Sequence, residues 1–373
     1  MTYNVVYVVS SFKRCGPINM LYSLISNLDS QQFKIHCVTF KDESQDSRID
    51  DFVNLGVMVH KAAEGQGNNH YKKANAVCNE IMRLNPDIVH SHGPWADYFV
   101  SKLKRVPTVI NIHNKLDEDY VPLYGRTVGY VTSLVDAYAM KRATVAVAVS
   151  DSVAGAVYKK YRIKSRVIIN GVNTDFYRPA SRSDRGAFRK AFGFADNEVV
   201  YLHVGNMIER KRPDFLIRAF DKWSEGGKRK ARLVFLGDGP LMQECKHLAE
   251  DNKRIVFCGN VSNVVDYCKA SDVMVSATVS DGMSMATLEG LACGMRMLAS
   301  DIDVHREIKR RYNLSDHRFC ISEMNIDDFI KGFDTTSVED GGECPIDYEK
   351  LSSKRMAREY SSIYLELIDS NNE

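Results

Sequence analysis

The sequence predicts an α/β protein of two domains, each built on a parallel sheet with helices on both faces. Three observations lead there. Short apolar β-type runs alternate with amphipathic helical runs over residues 4–169, and the alternation starts again over 199–301. Such alternation is the pattern of βαβ units and a parallel sheet. A charged stretch without strand character, 180–198, separates the two series and marks a candidate boundary. The chain has 373 residues, 44% hydrophobic and 26% charged, enough for about two cores.

Composition narrows the function classes. Net charge is +2, so bulk charge points to no nucleic-acid partner. Nine cysteines are scattered from Cys15 to Cys344 without a Cys-x-x-Cys pair, which implies neither a zinc site nor a disulfide framework and fits a reducing compartment. The N-terminal run lacks a basic region before it and a small-residue cleavage site, so it reads as a first strand rather than a signal peptide. No apolar run reaches 18 residues, so no spanning helix is expected.

In the first half, residues 4–9 form a continuous apolar run, as expected of a strand buried on both faces. A loop with Gly16 and Pro17 follows, then an amphipathic run over 18–28. Strand, glycine-containing loop and helix in that order make a Rossmann-like unit, but no full G-x-G-x-x-G is present, so dinucleotide binding is not supported. Gly16 either lets a ligand approach the backbone or serves a simple turn. Further strands are predicted at 34–40, 57–60, 88–90, 108–112, 144–149 and 167–169, with helices at 71–84 and 151–161. Right-handed crossovers leave a crevice at the carboxyl ends of these strands, where His92 and His113 fall. A histidine at a strand end serves as a satisfied structural residue more often than as a catalytic one. Asp117-Glu118-Asp119 is read as part of a loop and not as a metal site. Basic pairs, among them Lys141-Arg142 and Lys159-Lys160, are solvated faces or a contact for an anionic membrane or a lipid diphosphate.

The second half opens with a strand at 199–204, then Gly205, Asn206 and the basic run Arg210-Lys211-Arg212. Pro213 begins a helix through Trp223. Cations at a helix start oppose its dipole, so they meet an anion or are solvated. Strands at 233–236, 255–260 and 273–276 follow. Residues 279–301 then change period: Leu288, Leu291, Ala292 and Met295 define one helix face, Ser284 caps it, and Gly294 ends it. The amides of Met285, Ala286 and Thr287 are free helix-start donors, a seat for phosphate. Asp281 and Glu289 flank that seat. They are ordinary solvated acids, or carboxylates that accept hydrogen bonds from sugar hydroxyls. The segment 347–369 is helical in pattern, with Tyr360, Ile363, Tyr364 and Leu367 on one face.

The segment from Asp281 to Gly294 resembles the hallmark of the retaining glycosyltransferases of family 4: an acid, seven residues, a Glu, then a small-residue helix ending in Ala-Cys-Gly. Asp281 stands where the family usually has Glu. Lys211 matches one of two family cations that grip a diphosphate, while Asn206 occupies the place of the other, an Arg. Arg210 and Arg212 are candidates to compensate. The first loop with Gly16 and Pro17, the Asn111-Ile112-His113 segment and Asn170-Gly171-Val172 also resemble the family. The resemblance implies the GT-B architecture, two Rossmann-like domains facing across a cleft, with a terminal helix crossing back to the first domain. Boundaries are expected at 1–179, 180–346 and 347–373.

The resemblance further implies a retaining, metal-independent hexosyltransferase using a nucleotide sugar, with a UDP-sugar favoured. The donor would meet Gly16, Gly205, Asn206, Lys211, Gly259, Asn260, Asp281, Gly282, Met285, Ala286, Thr287 and Glu289. His113, Asp281 and Lys211 would act on the transferred sugar and leaving group, and Gly16, Pro17 and His92 would line the acceptor side. No cofactor and no metal are expected. The acceptor would be a glycan or lipid-linked oligosaccharide of bacterial surface polysaccharide, handled in the cytoplasm at the inner membrane face. Two other readings of the same architecture stay open: a nucleotide-sugar-binding partner protein with little activity, which Asn206 and Asp281 would fit, and a sugar-nucleotide epimerase.

Overall fold

The computed structural model describes residues 2–63, 70–226, 230–337 and 346–372. Cys344 lies outside them. The chain forms two compact units, one of Met1–Gly171 with Ser352–Glu373, the other of Val172–Leu351. The division falls after Gly171, not after Pro179. Residues 172–179 go with the second unit because they pack there: the Pro179 ring lies against Gly294, and the Tyr177 hydroxyl bonds Glu289. Gly171 itself is required by a close approach, since a Cβ there would sit 2.4 Å from the Ser352 carbonyl oxygen.

The first sheet contains β1 (Tyr3–Val9), β2 (Phe33–Thr39), β3 (Met58–Lys61), β4 (Ile88–His92), β5 (Thr108–Ile112), β6 (Val145–Ala148) and β7 (Arg166–Val167). All are parallel, in the order β3-β2-β1-β4-β5-β6-β7. The second sheet contains β8 (Val199–Val204), β9 (Ala231–Leu236), β10 (Ile255–Gly259), β11 (Val273–Ser276), β12 (Arg296–Ser300) and β13 (Phe319–Ser322). It too is all parallel, ordered β10-β9-β8-β11-β12-β13. These are two doubly wound sheets, and each has one switch point: between β1 and β4, and between β8 and β11. Loops leaving the carboxyl ends of those strands diverge there and open a crevice.

Burial explains the apolar strands. Val5, Val6, Val8, Val89 and Val109 are fully buried in the first unit, as are Tyr201, Leu202, Leu233 and Val234 in the second. Trp223, Phe220 and Phe333 pack around Tyr201 in mutually tilted and edge contacts. The helix Ser353–Asn372 belongs to the first unit. Its Tyr360 and Tyr364 are fully buried and supply hydroxyls to polar groups inside the sheet. Asp117-Glu118-Asp119 is not a loop but the first turn of the helix Leu116–Tyr124, where acids favour the dipole. The charged stretch after Pro179 carries a helix, Arg182–Ala191, whose Arg189 is buried against Asp272. Among the described residues no helix is long and apolar enough to cross a membrane.

One glycine fixes the edge of the second crevice. Gly237, φ +125°, touches the loop after β8, and a Cβ there would lie 2.1 Å from the Gly205 carbonyl oxygen. Gly237→Ala is expected to push that loop away and destabilise the protein by about 1–3 kcal/mol. A melting temperature equal to wild type would refute this reading of the contact.

Candidate functional site

The second unit assembles its polar residues at the switch point. Lys211 follows β8 at the end of the short helix Glu209–Lys211, and Asp281 follows β11. Their side chains meet at 2.7 Å, 17% and 13% exposed. The two residues expected to act separately, on diphosphate and on sugar, hold each other in this structure. Burial pushes the Asp281 carboxyl up, but Lys211 and Arg210 outweigh it and keep the group below the usual carboxylate range. Gly282 N–H donates to Asp281 Oδ1 at 2.9 Å and fixes its rotamer. Arg210 donates to the Ser280 carbonyl, which also accepts from Thr278, so the loop before Asp281 is clasped to the loop after β8. Arg212 turns to Asp214 at 3.2 Å. Both candidate substitutes for the Arg replaced by Asn206 are therefore engaged with this unit's own groups.

The helix Met285–Ala292 starts as its sequence implies. Ser284 is the cap, and its Oγ accepts from the Thr287 amide at 3.4 Å. The Thr287 amide, expected as a free phosphate donor, is thus taken by the cap, and the open amides of this first turn narrow to Met285 and Ala286, for which the carbonyls four residues back lie outside the helix. Gly294 follows the helix at φ +79°. Glu289 sits one turn in, bonded by Tyr177. Gly259 and Asn260 end β10 beside Gly237, whose N–H donates to the Gly259 carbonyl at 2.8 Å. Gly205, Asn206, Gly259, Asp281 and the Ser284-capped turn thus lie at the carboxyl ends of neighbouring strands. Sequence reasoning missed Tyr177 and two histidines. His203 and His305 are buried, each with Nδ1 against a carbonyl (Val275 at 3.1 Å, Ser300 at 2.7 Å) and with Nε2 lacking a protein partner. Burial lowers both to about 4, so both are neutral at pH 7 with Nε2 as a lone-pair acceptor. No periodicity in the sequence separates such histidines from core residues.

In the first unit a cavity of about 470 Å³ opens at the other switch point. The loop after β1 lines it with Cys15 and Pro17, the end of β4 with His92, and the loop after β5 with His113. Gly16 begins the helix Gly16–Ile25, and no protein atom occupies the space where its side chain would stand. His92 Nδ1 and His113 Nε2 are 2.9 Å apart. Burial keeps His113 near 4 and His92 well below the ordinary range, so this is a contact of two neutral rings. His92 Nε2 has no partner. A bare lone pair is cheaper to bury there than an N–H, so we assign His92 Nδ1 as the donor, which leaves His113 its Nδ1–H. Behind them His90 stacks on His92 at 4.5 Å and accepts or donates at Tyr364, 2.7 Å away.

The wall of this cavity holds two carboxyls that sequence reasoning did not single out. Asp97 and Asp136, 1% and 0% exposed, bond to each other. Ser91 donates to one at 2.6 Å and Tyr120 to the other at 2.6 Å. Burial raises both, Asp136 to about 6 and Asp97 well above the usual range. One proton shared between Asp97 Oδ2 and Asp136 Oδ1 satisfies the two oxygens that otherwise lack a partner. They come from separate helices, Pro94–Val100 and Arg126–Arg142, so no spacing could have paired them.

Two family models match this chain: one described as Glycosyltransferase Family 4 over residues 16–176, the other as Glycosyl transferases group 1 over 198–335. The chain belongs to the family 4 glycosyltransferases. Among family relatives, the O-antigen biosynthesis glycosyltransferase WclY of Escherichia coli is 22% identical over 313 residues, 82% of each chain. An Escherichia coli protein named UDP-Gal:alpha-D-GlcNAc-diphosphoundecaprenol alpha-1,3-galactosyltransferase is 26% identical over 258 residues, 65% of this chain and 64% of its own. Alignments with curated relatives span from 32% to 82% of their lengths. HepE of Anabaena, in a crystal structure with UDP and glucose, superposes with a TM-score of 0.78 at 13% identity, covering 98% of this chain and 100% of that one. This establishes the GT-B fold of the family 4 glycosyltransferases for both units.

Two predictions follow from the charges. Lys211→Met leaves a mostly buried carboxylate without its cation and should cost about 3 kcal/mol in chemical denaturation. Lys211→Met with Asp281→Asn should recover a good part of it, and additive losses would show that the pair is not coupled. For the acid pair, the native state keeps a proton that the unfolded chain gives up near pH 4. Stability should therefore fall as pH rises from about 4 through the raised value of Asp136, about 6. Asp97→Asn supplies a permanent donor to Asp136 and should flatten that decline in melting temperature against pH. An unchanged slope would exclude the shared proton.

Proposed function

We propose that this protein transfers a hexose from a UDP-sugar to an acceptor hydroxyl with retention of anomeric configuration and without a metal. The observation that carries the reading is the buried Lys211–Asp281 pair at the switch point of the second sheet, beside a helix start with unused amides at Met285 and Ala286. A diphosphate carries the charge that frees Lys211 from Asp281. As the glycosidic bond breaks, Lys211 and the two amides take the growing negative charge of the departing nucleoside diphosphate, preorganised and largely out of water. Asp281, released, accepts hydrogen bonds from the sugar, and Glu289, held by Tyr177, accepts from the ribose. His113, in the first unit, keeps its Nδ1–H as a neutral donor for a sugar hydroxyl.

The acceptor side is the cavity of the first unit, lined by Pro17 and His92, with Gly16 between its lining residues Cys15 and Pro17. A relative named for a diphosphoundecaprenol-linked acceptor, and others named for O-antigen and teichuronic acid biosynthesis, support a lipid-linked oligosaccharide of surface polysaccharide, met in the cytoplasm at the inner membrane face.

The test is a thermal-shift series with UDP, GDP and ADP in EDTA. A ligand at a hundredfold excess over Kd adds about 2.7 kcal/mol to stability. UDP is expected to shift wild type and not Glu289→Ala. Lys211→Ala and Glu289→Ala are each expected to lower turnover of the donor at least about tenfold, roughly 1.4 kcal/mol. Binding that appears only when Mg²⁺ is restored would overturn metal independence. Binding without any turnover over a panel of acceptors would favour a nucleotide-sugar-binding partner protein, and release of free sugar without an acceptor would favour an epimerase.

A further inference from the structure

The helix Arg126–Arg142 has an inverted outer face. Soluble helices turn polar residues to water. Here Tyr130, Val131, Leu134 and Tyr138, spaced three and four apart and therefore on one side, are 48%, 54%, 46% and 53% exposed. Val128 is exposed one turn earlier. The opposite side, with Gly129, Ser133, Ala137 and Met140, is buried. The helix contains one acid, Asp136, and that residue is inside the unit sharing its proton. Exposed aromatic and aliphatic residues gathered on one strip mark a contact surface rather than ordinary scatter.

Cations frame the strip. Lys141 and Arg142 close the last turn, both exposed, and the Arg142 guanidinium lies 5.6 Å from the Tyr138 ring. On the neighbouring helix Asp151–Tyr161, Lys159 is exposed and Lys160 lies 5.6 Å from the Tyr130 ring. The acids nearby are already paired: Asp117 with Lys160 at 2.8 Å and Glu118 with Lys115 at 3.6 Å. Tyrosines over an apolar strip with Lys and Arg at its border match a bilayer interface, where the rings sit among headgroups and the cations meet anionic lipid. A second copy of the chain is the competing occupant, but an antiparallel two-fold pairing of this helix about Leu134 would set Lys141 and Arg142 near the exposed Arg126 of the other copy, cation against cation.

The strip also runs into the cavity. Leu123 and Tyr124, 62% and 46% exposed, line the cavity of the first unit and precede the strip by a single turn of chain at Gly125. We propose that the face of Arg126–Arg142 seats the first unit on an anionic bilayer, with the cavity mouth at Leu123 and Tyr124 turned to the lipid, so that a lipid-linked acceptor passes from bilayer to cavity without crossing water. The last clause rests on the transferase reading above; the seating itself does not.

The full chain is floated with vesicles of phosphatidylcholine alone and of phosphatidylcholine with phosphatidylglycerol, at low and high salt. Wild type is expected to float with the anionic vesicles, less so in high salt, and not with neutral ones. Val131→Ser with Leu134→Ser, and separately Lys141→Glu with Lys159→Glu, are expected to lower partitioning about tenfold or more while the UDP-induced thermal shift stays at the wild-type value. These residues are on the surface, so both variants should melt as wild type does. Absence of flotation with anionic vesicles, or variants that float like wild type, overturns the proposal. A concentration-dependent dimer that Val131→Ser with Leu134→Ser dissolves, without flotation, assigns the face to a second copy and overturns it too. Flotation as expected with no nucleotide shift in wild type leaves the seating intact and refutes the donor reading instead.

Discussion

Both sheets are entirely parallel, and that constraint governs everything else in the molecule. A parallel strand can be reached only through a crossover, and the crossover helices cover both faces of the sheet. Strand interiors are then mostly apolar, with His90 and Asn111 as hydrogen-bonded exceptions, and other polar groups gather at the carboxyl ends. The switch points concentrate them further. Lys211 and Asp281 lie 70 positions apart in sequence, yet the reversal of strand order between β8 and β11 makes them neighbours. His92 and His113 meet for a simpler reason, since they end or follow the adjacent strands β4 and β5.

The two units solve the cost of burying polar groups differently. The second neutralises charge with charge, a Lys against an Asp. The first reduces charge: its histidines are held neutral by burial, and its two acids share a proton and so carry one negative charge between them. A pair of opposite charges can be opened by a ligand that brings its own anion. Neutral histidines beside a singly charged acid pair offer hydrogen bonds to uncharged hydroxyls and disfavour a phosphate. That contrast supports the proposal that the charged ligand goes to one unit and the hydroxyl-bearing one to the other.

Much of this was legible in the residue order. The apolar runs of β5, β8 and β11 coincide with their strands to the residue, whereas β4, expected at 88–90, runs on to His92 because its last two residues, Ser91 and His92, are buried polar ones. Ser284 and Gly294 mark their helix because capping is local chemistry. The strand Phe319–Ser322 escaped notice, being four residues of mixed character at a sheet edge. The acidic tripeptide at 117–119 was misread as a loop because helix-start acids and loop acids look alike without the tertiary contact that continues the helix. The pairing of Lys211 with Asp281, the hold of Tyr177 on Glu289 and the sharing of a proton by Asp97 and Asp136 were beyond reach for one reason. Each joins residues from different elements, and one sequence records no distances between elements.

The helix Ser353–Asn372 has a bearing on how the molecule comes into being. Tyr364 bonds Tyr7 at 2.9 Å and His90 at 2.7 Å, and Tyr360 bonds Asn111, all inside the first sheet. Those groups on β1, β4 and β5 are made early in synthesis, and their partners emerge only after the entire second unit. Until then the nascent first unit has a tyrosine, a histidine and an asparagine facing an empty groove. The second unit, continuous in sequence, has all its own parts and can close first. The half that leaves the ribosome earliest can therefore complete its polar contacts only after the second unit has been made.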